Sequence, residues 1–290
     1  MRGMQPTPRR IAASDGLHLN VLEWSQEGVP LVMLHGFGNE AHIWDDFAPT
    51  VAPYYRTFAV DHRGHGDSDW HPEGRYDPEL LVDDLEALLE PLEIERFVLI
   101  GHSLGGRVST LFAGRQPERL AGLVIVDVGP EVDLRGRMRI RQDVESDPNP
   151  TFDSIEAYAR ALSLAYPAGR PDAVQRMAEF GLRQREDGRF ELKIDPAWRG
   201  LMTSVETPEE AERREAESTQ KQWDALAKVP CPTLVVRGAA SDILSPDVAD
   251  RMVEDVLQNG KLAVVGQAGH SVMTDNPDGF RDAVSAFVLA

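Results

Sequence analysis

Six short apolar runs, at residues 31–34, 57–60, 97–100, 123–126, 233–236 and 262–265, constrain this chain more than any other feature. Each is too short for a buried helix, and each is continuous rather than alternating, as in strands covered on both faces. Helical stretches separate them. Leu81, Leu85, Leu88 and Leu89 form an apolar stripe of helical period, opened by Asp77-Pro78 and closed by Pro91. Strands alternating with helices pair in parallel, with helices on both sides of one sheet. Ahead of this pattern, residues 9–13 and 17–24 read as antiparallel strands joined by a tight turn at Asp15-Gly16. The fold class is therefore α/β, with a mostly parallel central sheet.

Gly101-His102-Ser103-Leu104-Gly105 follows the run 97–100 directly and precedes a small-residue stretch of helical character. A serine between glycines at a strand-to-helix junction sits on a sharp turn, because glycine admits neighbouring backbone where a side chain would clash. Its hydroxyl then stands above the strand ends, at the amino end of a helix that favours developing negative charge. Ser103 is thus a candidate nucleophile; the alternative is a helix-capping hydroxyl. His35-Gly36-Phe37-Gly38 closes the run 31–34 and is placed to present a backbone N–H beside that of Leu104. Asp242 follows the run 233–236, and His270 follows 262–265.

These ordered motifs resemble the α/β-hydrolase superfamily, from about residue 10 to the end of the chain. The resemblance implies Ser103 as nucleophile, His270 as base and Asp242 as the acid of a triad, with an oxyanion hole from the N–H groups of Phe37 and Leu104. Residues 61–68 resemble the turn that the family carries after its fourth strand. Asp127 also ends a strand and is the rival acid; Asp242 is preferred because residues 237–242 are similar to the family's usual acid-bearing segment, which leaves Asp127 to cap a loop. The family inserts a helical cap where the strand pattern lapses, which divides the chain into core 1–130, cap 131–222 and core 223–290. No core strand is legible in the cap. Phe37, Trp44, Tyr158 and Trp198 are the candidate substrate-binding residues, with helix anchoring as the other reading of Trp44. His35 is expected to hold the oxyanion loop, and Arg107 to pair with a carboxylate. His18, His42, His62, His65, His71 and His102 are expected on the surface or in turns, without metal-site spacing.

A formal net charge of −18 opposes binding to nucleic acid or to an anionic membrane. No apolar run approaches a membrane span, and the first eight residues lack the apolar stretch of a secretory signal. The single cysteine, Cys231, cannot close an internal disulfide and reads as a buried thiol. These features predict a cytoplasmic protein that needs no cofactor or metal. A serine nucleophile sets the chain apart from the family's haloalkane dehalogenases and epoxide hydrolases, which attack with aspartate, and from dienelactone hydrolases, which use cysteine. The expected function is cleavage of small to medium carboxylic esters through an acyl-enzyme. Hydrolysis of a C–C bond, lactone or amide in a catabolic pathway stays open, as does a small-molecule receptor with little turnover. Oligomeric state is not set by the sequence.

Overall fold

Thr7–Ala12 (β1) and His18–Glu23 (β2) pair antiparallel in the computed structural model, which describes residues 4–147, 149–202 and 207–290. The apolar runs follow as Val29–Leu34 (β3), Tyr55–Val60 (β4), Phe97–His102 (β5) and Leu120–Val126 (β6). Ala48–Val51 (α1) links β3 to β4, Pro78–Leu89 (α2) precedes β5, and Leu104–Arg115 (α3) joins β5 to β6. An insert then runs through Leu134–Ser146 (α4), Thr151–Phe152 (β7), Ile155–Ala165 (α5), Pro171–Phe180 (α6), Leu182–Gln184 (β8), Phe190–Leu192 (β9), Pro196–Met202 (α7) and Pro208–Leu226 (α8). The main pattern resumes with Thr233–Gly238 (β10), Pro246–Arg251 (α9), Gly260–Val265 (β11), Val272–Asp275 (α10) and Pro277–Val288 (α11).

The eight-stranded sheet has the order β1-β2-β4-β3-β5-β6-β10-β11. β2 meets β4 antiparallel, and every pair from β4 to β11 is parallel. Strand residues on one face join Leu85, Val108 and Phe112 of α2 and α3, while those on the other join Phe280 and Val284 of α11. Burial of both faces is why these strands are apolar throughout. It also stiffens the platform on which the loops after β3, β5, β6 and β11 meet.

The insert is not wholly helical, in contrast to the expectation above. β7, β9 and β8 form a small antiparallel sheet, and its β8–β9 hairpin turns at Asp187-Gly188, where Gly188 has φ +82°. Strands of two or three residues are too short to show alternation, so only the Asp-Gly pair signalled them. Residue 222, taken above as a boundary, falls inside α8, which runs from a Thr207–Glu210 capping box to Leu226 without a break. The insert rests on the loop after β4: Gly66 N–H donates to Lys193 O at 2.8 Å, and Asp195 N–H to Gly64 O at 2.8 Å. Phe180 stacks on His42 at 3.6 Å. No helix among the described residues is long and apolar enough to cross a membrane.

Candidate active site

Ser103 has φ 52° and ψ −115°, a conformation that costs a non-glycine residue about 1–3 kcal/mol. Its neighbours allow it. A Cβ on Gly105 would collide with the Leu34 carbonyl oxygen, and one on Gly101 with that of Gly105. Gly105 N–H instead donates to His35 O at 3.1 Å and Ser103 N–H to Val126 O at 3.0 Å, which locks the turn between β3 and β6. The N–H of Leu104, at the first position of α3, has no intrahelical acceptor to reach.

Ser103 Oγ lies 2.9 Å from His270 Nε2, and His270 Nδ1 lies 2.9 Å from Asp127 Oδ2. Asp127 is fully buried and also has a left-handed φ of 49°. Its carboxylate accepts two further hydrogen bonds, from Gly238 N–H at 2.8 Å and Ser241 Oγ–H at 2.6 Å. Ser241 is fixed in turn, since its oxygen accepts the N–H groups of Ile243 and Leu244, each at 3.1 Å. Three donors fix the Asp127 carboxylate and orient His270 with its proton on Nδ1, leaving Nε2 to accept from Ser103.

The carboxylate against His270 is therefore Asp127, and the expectation of Asp242 is corrected. Asp242 turns to α4, where Arg139 Nε and Nη2 hold its two oxygens at 2.7 and 3.0 Å. The hydrogen bonds from Arg139 hold the Asp242 carboxyl below the usual carboxylate range. Both aspartates follow strands. What separates them is a guanidinium supplied by the insert, and nothing local to either strand reveals it.

The loop after β3 is held by buried imidazoles. His35 Nδ1–H donates to Gly36 O at 2.8 Å while its Nε2 accepts His62 N–H at 3.0 Å. His62 Nε2–H returns a bond to His35 O at 3.1 Å, and His65 Nε2 accepts Gly38 N–H at 3.1 Å. Burial depresses the pKa of all three, that of His65 to about 3. His62 and His65 lie in the turn after β4, one of the placements expected, but are buried and hydrogen-bonded there; His102 is a buried strand residue, contrary to the surface or turn placement expected for it. The one sequence signal for His62 and His65 was the clustering of histidine in residues 61–68.

The candidate lining residues part company. Phe37 is half-buried, its ring 5.9 Å from His65 and 6.0 Å from Trp198. Trp198 stacks on Tyr76 at 4.9 Å and donates its indole N–H to Arg63 O at 3.0 Å. Trp44 is completely buried in the core and packs on Phe280 at 6.0 Å, which makes it an anchor and not a lining residue. Tyr158 packs on Phe152 at 4.7 Å within the insert, and burial raises its hydroxyl pKa. Among the described residues Arg107 forms no ion pair with a carboxylate: its guanidinium donates to Ser218 Oγ at 2.8 Å and reaches the carbonyls of Gly129 and Pro130 at 3.4 Å. It thus ties α3 to both ends of the insert. A surface cleft of about 300 Å³ between α5 and α6 includes none of these residues.

A family model described as alpha/beta hydrolase fold matches residues 29–277, and the chain belongs to that family. It is therefore a hydrolase. Among known proteins it is similar to the 2-(acetamidomethylene)succinate hydrolase of Mesorhizobium japonicum, 27% identical over 275 residues that cover 94% of this chain and 92% of the other. An esterase of Mycobacterium tuberculosis is 24% identical over 286 residues, covering 96% and 87% of the two chains. The crystal structure of an E-2-(acetamidomethylene)succinate hydrolase matches with a TM-score of 0.83 at 26% identity, over 98% of this chain and 100% of the other.

Proposed function

We propose that this protein is a serine hydrolase that cleaves small to medium carboxylic esters through an acyl-enzyme on Ser103. The observation that carries the reading is the hydrogen-bonded chain Ser103–His270–Asp127, with 2.9 Å at each link. Ser103 Oγ attacks the ester carbonyl carbon as His270 Nε2 takes its proton, and Asp127 holds the imidazole in that tautomer and stabilises the imidazolium. The carbonyl oxygen becomes an oxyanion facing the N–H groups of Phe37 and Leu104, where each such donor is worth about 3 kcal/mol in the transition state. Collapse expels the alkoxide, which receives the proton from His270. Water then repeats the sequence on the acyl-enzyme, giving the carboxylic acid and free Ser103.

The insert, from residue 131 to the end of α8 at Leu226, acts in this reading as a cap over the strand ends, with Phe37 and Trp198 at the acyl side. The enzyme works in the cytoplasm on a small molecule, without cofactor or metal. A second reading, hydrolysis of an amide, is supported by the likeness to 2-(acetamidomethylene)succinate hydrolase over 94% of the chain. Labelling with a fluorophosphonate followed by peptide mapping tests the nucleophile, with Ser103 as the expected site. Turnover of p-nitrophenyl acetate and butyrate tests the ester reading. A folded, labelled enzyme inactive on both esters but active on an enamide of a dicarboxylic acid would transfer the chain to the second reading.

A further inference from the structure

Two side chains that the chemistry above leaves unused, one buried and one half-buried, close on the backbone that carries the base. His102, the last residue of β5 and the neighbour of the nucleophile, is buried, and its Nε2–H donates to the carbonyl of His270 at 2.9 Å. The two rings stand 4.8 Å apart. Its Nδ1 is buried without a hydrogen-bond partner among the described residues and faces the oxyanion loop: a Cβ on Gly36 would lie 2.8 Å from it. One peptide earlier, Gly269 N–H donates to Asp275 Oδ2 at 2.8 Å, and Asp275 Oδ1 is also buried without a partner. The two side chains thus hold consecutive residues of the segment 269–270, one at a carbonyl and one at an N–H.

We propose that His102 is a positioning residue for the base, with Asp275 as its counterpart on the preceding peptide: together they clamp the backbone of Gly269 and His270 so that the imidazole spans Ser103 and Asp127. The inference rests on the serine-hydrolase reading. Segment 266–270 needs such a clamp, because it contains Gly266, Gly269 and a left-handed Gln267 with φ 56°. Its other hydrogen bonds fall earlier, from Asn276 Nδ2–H to Gly266 O and from Ala240 N–H to Ala268 O, each at 2.9 Å, and leave residues 269 and 270 to the clamp. His102 is itself fixed in the sheet, opposite Val126 in the β5–β6 register. Its hydrogen bond therefore refers the base to the strand that carries the nucleophile, so that one contact sets the Ser103–His270 separation.

An imidazole suits the task because only Nε2 meets an acceptor, which places the single proton there. Burial, and then the nearby His270, push the His102 pKa down to about 3, so its imidazole is uncharged at working pH. A neutral donor leaves His270 free to become an imidazolium with no cation alongside it.

The test compares His102→Gln, whose amide keeps an N–H at similar reach, with His102→Leu, which fills the space without a donor, and His102→Asn, whose amide is too short. Each is assayed for p-nitrophenyl butyrate turnover, for the rate of fluorophosphonate labelling, and for thermal unfolding to confirm a native fold. His102→Leu and His102→Asn are expected to lower kcat and the labelling rate in parallel by about tenfold, with KM changed less than about twofold. His102→Gln is expected to recover most of both rates. A folded Leu or Asn variant with wild-type labelling and turnover, or a Gln variant as slow as Leu, would overturn the clamp. If instead wild-type Ser103 is not labelled at all, the serine-hydrolase reading fails and takes the clamp's catalytic consequence with it.

Discussion

Arg139 holds both carboxylate oxygens of Asp242, its Nε at 2.7 Å and its Nη2 at 3.0 Å. That contact separates two aspartates at the ends of the neighbouring strands β6 and β10 into different duties. Asp127→Asn would present His270 with an amide and favour the wrong tautomer, so kcat for an ester is expected to fall by about 10³–10⁴. Asp242→Asn is expected to stay within about threefold of wild type and to cost at most about 1 kcal/mol, because the pair is partly exposed. Steady-state kinetics of the two variants decide; a larger loss in Asp242→Asn would reverse the assignment.

Ser241 feeds the buried carboxylate with an O–H and absorbs two backbone N–H groups. Ser241→Ala strands those N–H groups away from water, at an expected cost of about 1–3 kcal/mol in urea unfolding. Its kcat should fall as well, since Asp127 loses one of the donors that orient it. An alanine variant of unchanged stability would show that the loop 239–244 re-forms without this oxygen.

Acid should loosen the loop after β3. His65 is neutral in the fold, with a pKa of about 3 against about 6.5 when unfolded, so the unfolded chain binds the extra proton between those values. Its contribution to stability is intact above pH 6.5 and is lost as pH falls towards 3. His65→Gln keeps an acceptor for Gly38 N–H and cannot titrate. Between pH 6.5 and pH 5 the wild type should therefore lose about 2 kcal/mol more than the variant, by urea titration at both values. Parallel pH profiles would show that His65 is not buried neutral.

Trp198 joins the insert to the core by a stack and a hydrogen bond. Trp198→Phe preserves an aromatic ring on Tyr76 but leaves Arg63 O only the longer contact with His65 Nδ1–H at 3.4 Å, for an expected loss of about 1 kcal/mol. Because Phe37 lies 6.0 Å from this indole, KM should rise more than kcat falls. A variant unfolding at the wild-type temperature would remove Trp198 from the anchoring contacts.

Much of the site could be read from the chain because its signals are local. The elbow at Ser103 declares itself by glycines on both sides at a strand end, and His270 by its place after the last apolar run. The supporting role of His35 followed from the glycines that flank Phe37. His102 was misplaced, and the burial of His62 and His65 within their turn went unread, since histidine in a turn motif carries no mark of burial. Arg107 was expected to meet a carboxylate and meets Ser218 and two carbonyls, partners that lie 22 to 111 residues away.

Sequence by itself determined the α/β alternation, the strand that leads into Ser103 and the order in which serine and histidine arrive, because period and turn chemistry are properties of neighbouring residues. The tertiary structure alone decided which aspartate reaches His270. Both candidates end a strand, and the choice between them was made by through-space partners: Gly238 and Ser241 gather donors around Asp127, while Arg139 of α4 draws Asp242 away. A carboxylate's role follows from the charges and donors that folding brings within about 3 Å of it, and those contacts have no image in the local sequence.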